Sequence, residues 1–87
     1  MKRELIFQKL QEQLAAALEV ETHEVKLEAK IVDDLGAESI DLLDITFRLE
    51  RSFGLAIKDE DLFQKSGLNI GQVTVSYLVD FIESKLS

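Results

Sequence analysis

The chain has 87 residues, 46% of them apolar, with seventeen acids against ten bases for a net charge of −7, and it contains no proline and no cysteine. That size and apolar share fit one compact domain, 1–87, and exclude collagen-like and low-complexity chains. The missing cysteines exclude a disulfide framework, a cysteine-based zinc site and a protein thiol, and the negative balance works against nucleic acid and anionic lipid surfaces while favouring a basic protein partner.

The chain opens with "KRELIFQKLQEQLAAAL". Ile6, Phe7, Leu10, Leu14, Ala17 and Leu18 recur at three- and four-residue spacing, which predicts an amphipathic helix over roughly residues 3–18. No run of about 7–15 apolar residues follows Met1, so no signal peptide is expected. No stretch approaches the ~20 apolar residues of a membrane span. A cytoplasmic, monomeric protein is expected.

From Glu19 to Glu38 no helical period is sustained. A connection this long is uncommon in a compact domain and is usually functional. Val20, Val25, Leu27, Ile31 and Leu35 are spaced through it and are expected to pin it onto the helices. The chain's one histidine, His23, falls here among Glu21, Thr22 and Glu24 and reads as a solvated or capping residue rather than a catalytic base. An EF-hand loop counted from Asp33 fails, because Leu35 takes its third position and Gly36 its fourth.

A second helix is predicted from Ser39 to about Phe53. Leu42, Ile45, Leu49 and Phe53 share one face of it. Ile40, Leu43 and Phe47 form a second apolar stripe, and Asp41 and Asp44 an acidic edge. Gly54 follows as a helix stop, because it accepts positive φ. "KDEDLFQKSG" predicts a short helix, with its acids at the positive end and Lys65 at the negative end. "LNIGQV" links to a last helix that starts near Thr74, a helix-capping residue type. Val75, Leu78, Val79, Ile82 and Leu86 make its buried face. The fold class is all-α: a bundle of three main helices plus one short one, with a long loop between the first two.

No phosphate-cradling glycine loop and no His/Cys metal spacing occur, so no catalytic residue and no metal ligand is assigned. Ser39 remains. On that residue alone the simpler reading is a helix N-cap, worth about 1 kcal/mol against Ala; a capping box would then need Glu or Gln at position 42, where Leu42 stands. The other reading is a modification point. A helix N-terminus offers free N–H groups and partial positive charge to a phosphate on a first-turn serine. A serine without a base is a weak nucleophile, so a separate enzyme would have to supply one.

The stretch "DDLGAESIDLLDITFRLERSFGLAI" resembles the signature of the acyl carrier protein family. The likeness extends more loosely to the first helix, the long loop and "VSYLVDFIE". It implies a four-helix carrier, not an enzyme, whose serine receives 4′-phosphopantetheine from coenzyme A through a phosphopantetheinyl transferase and magnesium. Ser39 matches that serine, and Asp34, Leu35 and Gly36 match the motif that shapes the approach to it. The arm's thiol would carry acyl groups as thioesters, in keeping with the absent cysteine. The resemblance assigns Ile40, Asp41, Leu43, Asp44, Phe47 and Glu50 to contact with acyl-transferring or synthase enzymes that carry basic docking patches. Several features point to a carrier for a dedicated lipid, lipopolysaccharide or polyketide pathway. Glu38 stands where the family has Asp, Arg48 and Arg51 lie on a helix usually more acidic, and Lys58 replaces a common proline. The link from Ile57 to Val75 is longer than usual by roughly seven residues, and its Leu68, Ile70 and Val73 are expected to line or cap an acyl cavity. Two alternatives stay open: a peptidyl or aminoacyl carrier, and a cofactor-free helical module that docks through Ile40, Leu43 and Phe47.

Overall fold

The computed structural model describes residues 1–58, 62 and 70–86. Three α-helices run through them: α1 (Arg3–Leu18), α2 (Ser39–Phe53) and α3 (Val75–Leu86), with 3₁₀ turns at Thr22–Glu24 and Ile70–Gln72. The main predicted helices thus stand within a residue or so of their expected bounds. The short helix expected over Lys58–Gly67, and with it Leu68, lies outside the described residues apart from Lys58 and Leu62. Leu62 is fully buried, and its N–H reaches the carbonyl of Lys58 at 3.3 Å.

Helix α1 packs against both α2 and α3. Its Ile6, Leu10 and Leu14 are fully buried, as are Ile45 and Leu49 of α2 and Val75, Leu78, Val79 and Ile82 of α3. These are the i, i+3, i+4 positions of each helix, so the buried faces follow directly from helical geometry. Phe7, Ala17 and Leu18 close over the edge of the same cluster. At the open end, Arg3 bridges to Asp80 at 2.7 Å and to Glu83 at 3.2 Å, tying the start of α1 to α3. The hydrogen bond to Asp80 is the chief cause that raises the Arg3 pKa above its ordinary value.

The helix ends show where local chemistry acts. Thr74 Oγ1 accepts the N–H of Tyr77 at 3.1 Å, the capping bond expected of it. Gly54 takes φ +65 at the end of α2, as a helix stop requires. Helix α1 stops on Glu19, whose φ of +56 puts a side chain in the left-handed region. No glycine announces that end.

The long loop is pinned, mostly by its backbone. Gln11 Nε2 donates to the carbonyls of Thr22 (2.9 Å) and Val25 (3.0 Å). The N–H of Ile31 reaches Val73 O (2.9 Å), that of Val75 reaches Ala29 O (3.0 Å), and that of Ser76 reaches Leu27 O (2.9 Å). An antiparallel bridge between Lys30 and Thr74 sits amid these bonds. Of the apolar residues expected to anchor the loop, Val25 and Ile31 are fully buried, and Val20 and Leu35 are half-buried. Leu27 departs from the expectation and stays exposed, its backbone rather than its side chain making the tie. The long loop thus enters the core and delivers the chain to the start of α2 in a fixed direction.

Candidate functional site

The approach to α2 is a closed turn. The N–H groups of Asp34 and Leu35 both reach the carbonyl of Lys30, at 2.9 and 3.0 Å, and that of Gly36 reaches Val32 O at 3.0 Å. In return Asp34 Oδ2 accepts the N–H of Lys30 at 2.8 Å. Gly36 then turns the chain with φ +75. No atom lies within 4 Å of where its Cβ would stand, so the glycine serves the backbone angle and leaves open space beside it. Ala37 is buried, and its N–H returns to Ile31 O at 3.1 Å.

Ser39 is the first helical residue of α2 and not its N-cap. The cap is Glu38, extended at φ −102, ψ 171. Its carbonyl accepts the first helical bond, from Leu42 N at 3.1 Å, and its N–H donates to Asp41 Oδ2 at 2.9 Å. The capping box therefore runs from Glu38 to Asp41, one residue earlier than a box counted from Ser39. The physical reason is that Glu38 keeps extended dihedrals and hands Ser39 the first helical ones. Ser39 is thereby released from capping. Its side chain is exposed, and its hydroxyl makes no hydrogen bond with a described residue.

Beyond Ser39 the second apolar stripe faces outward: Ile40, Leu43 and Phe47 are 72%, 58% and 56% exposed. The residues assigned to the docking edge have duties inside the molecule as well. Asp41 closes the capping box. Asp44 Oδ2 holds Arg48 Nε at 3.0 Å. Glu50 Oε2 accepts the N–H of Ile57 at 3.1 Å, bracing the chain where it leaves α2. The last of these had no local sequence signal, because it joins residues on either side of the Gly54 turn. The Asp44–Arg48 pair did have one, the i, i+4 spacing.

A groove of about 450 Å³ lies beside the stripe, lined by Gln13 from α1 and by Asp44, Phe47, Arg48, Arg51 and Ser52. Arg48 reaches across it to Gln13 Oε1 at 3.4 Å. The Arg51 guanidinium stands over the Phe47 ring, 5.5 Å from its centre. His23 is exposed in its 3₁₀ turn, in keeping with a solvated residue. Of the residues expected to line an acyl cavity, Val73 is fully buried in the core and Ile70 lies at the surface.

Comparison with known proteins fits this geometry. Residues 8–69 match the family described as "Phosphopantetheine attachment site". The acyl carrier protein of Thermotoga maritima is 40% identical over 84 residues, covering 97% of this chain and 95% of the relative. That of Coprothermobacter proteolyticus is 40% identical over 86 residues, covering 99% and 96%. That of Clostridium acetobutylicum is 32% identical over 74 residues, covering 85% and 92%. The chain belongs to the acyl carrier protein family. Its cofactor is phosphopantetheine, and it is a carrier rather than an enzyme. Among the described residues no helix is long and apolar enough to cross a membrane.

Proposed function

We propose that the phosphopantetheine arm is attached to Ser39 and that the carrier presents acyl groups on it to the enzymes of a dedicated lipid, lipopolysaccharide or polyketide pathway. The observation that carries the attachment is the state of Ser39: exposed, without a side-chain hydrogen bond to a described residue, and first in the helix. The residues fit the group. A phosphodiester on Ser39 Oγ would stand in the first turn, where helix N–H groups and the positive end of the dipole favour an anion. The space left open beside Gly36 offers a path towards the start of α2. Asp34, Leu35 and Gly36 hold that path by fixing the turn before the helix.

When bound, the arm supplies a thiol on which acyl groups ride as thioesters. The protein's own residues bind and orient. The closed turn and the capping box fix the backbone that would hold the arm at Ser39, and Ile40, Leu43 and Phe47 offer an apolar surface along the same helix. No base among the described residues is hydrogen-bonded to the hydroxyl, so the transferase that installs the arm would have to take the serine proton. The acids of the chain steer enzymes with basic docking patches towards α2, and contact through a few side chains keeps each visit short.

Intact-mass measurement after incubation with coenzyme A, magnesium and a broad-specificity phosphopantetheinyl transferase should find one adduct on the wild-type chain and none on Ser39→Ala. A wild-type chain left unmodified beside a modified control carrier would overturn the assignment. The pathway is tested by which purified acyl-transferring enzymes of the source organism accept the loaded chain.

A further inference from the structure

We propose that Arg51 makes the C-terminal end of α2 selective for a protein partner that presents carboxylates there, so that the docking face is read as a bipolar helix, acidic at its start and basic at its end. The inference rests on the reading that enzymes dock through α2, and it names the chemistry of the partner surface.

From Asp33 to Phe47 the chain carries five acids and no base; Arg48 and Arg51 follow. The structure decides which of these charges reach outward. Asp41 is engaged by the Glu38 N–H and Glu50 by the Ile57 N–H. Asp44 is matched by Arg48. Arg51 is exposed and makes no ion pair among the described residues. At 3.6 residues per turn, Arg51 lies about 40° round the helix from Phe47 and about 20° from Ile40. It therefore continues the exposed stripe rather than lying behind it. It stands about 15 Å along the axis from Asp41.

The contact with Phe47 gives Arg51 a defined posture. A guanidinium over an aromatic ring uses its flat face and keeps its N–H edge for a carboxylate, which it can meet with two hydrogen bonds. A docking patch that is basic along its whole length would set a cation against Arg51, and like charges brought together select against a partner. A patch with cations opposite the Ser39 end, an apolar hollow for Ile40, Leu43 and Phe47, and Asp or Glu opposite Arg51 matches the face throughout. The five acids at the other end exclude a polyanion such as nucleic acid as the occupant.

The test uses the unmodified chain, isotope-labelled, in chemical-shift titrations with a purified acyl-transferring synthase whose docking patch is wholly basic. The same enzyme is then used with each basic residue of that patch changed to Glu in turn. The wild-type chain should bind one such Glu-carrying enzyme about 5–10-fold more tightly than the parent. Arg51→Glu should reverse that order, Arg51→Gln should abolish the preference, and high salt should flatten all differences. Circular dichroism checks that each variant keeps its helices, and Arg51→Gln preserves side-chain bulk should the reversal disturb the helix end. The same order of affinities for wild type and Arg51→Glu would overturn the proposal. So would a concentration-dependent dimer in sedimentation that Arg51→Glu dissolves, since a second copy would then be the occupant. The mass assay on Ser39 is read separately. A charge preference without an adduct counts against the attachment site alone, and an adduct without a charge preference against this inference alone.

Discussion

At residue scale, the assignment of roles at the start of α2 separates chemistry from stability. Glu38 and Asp41 hold the helix end, and the Ser39 side chain, one position inside, holds none of the described residues. Ser39→Ala is therefore expected to lose the adduct while changing unfolding free energy by less than about 0.5 kcal/mol. Asp41→Ala should keep the adduct and cost about 1 kcal/mol in urea denaturation, since it leaves the Glu38 N–H without its partner. The opposite ranking would restore Ser39 as a capping residue. Acids singled out in sequence for other duties also brace the fold here: Asp34, of the motif before the serine, through Lys30 N, and Glu50, of the docking set, through Ile57 N. Mutating either for a binding study will disturb the backbone near the site as well as the charge.

At the scale of elements, the helices form where apolar spacing says they should, and their ends follow single-residue backbone angles. Gly54 and Glu19 both sit in the left-handed region, at the ends of α2 and α1. For Gly54 the conformation costs little; for Glu19 the Cβ meets the following carbonyl. Glu19→Gly should raise stability by about 0.5–1 kcal/mol, and Gly54→Ala should lower it by about 1 kcal/mol, both read as shifts in thermal midpoint. The end of α1 was placed by its apolar stripe, not by a breaker residue. The Glu38–Asp41 box carries a weak sequence signal, because Glu is a less usual N-cap than the serine beside it.

At the scale of the whole molecule, α1 joins α2 and α3 through one apolar cluster, and the long loop is fastened to the start of α3. A chain of this size holds in total roughly 4–13 kcal/mol. Leu49→Ala, at a fully buried position, is expected to cost about 2–5 kcal/mol. That should leave a sample partly unfolded on warming, with helical signal lost in a single broad transition. The excess of acids acts at the same scale: association with partner enzymes should slow and weaken steadily as salt rises.

Sequence by itself determined the three main helices, their buried faces, the existence of a second apolar stripe at Ile40, Leu43 and Phe47, and the carrier family. These depend on spacing within one or two helical turns or on a contiguous motif, so neighbours in sequence carry the information. Tertiary structure alone decided how the loop is held. The bonds from Gln11 to Thr22 and Val25, and those that join Leu27, Ala29 and Ile31 to the start of α3, link segments that no periodicity connects. It also decided which charges are spent and which are free. Asp44, Arg48, Glu50 and Arg51 all look like surface charge in the chain. Only in the folded molecule does Glu50 turn to Ile57, Arg48 reach Gln13 besides its i, i+4 partner Asp44, and Arg51 stand over Phe47, because a charge is satisfied according to what the fold brings within reach of it.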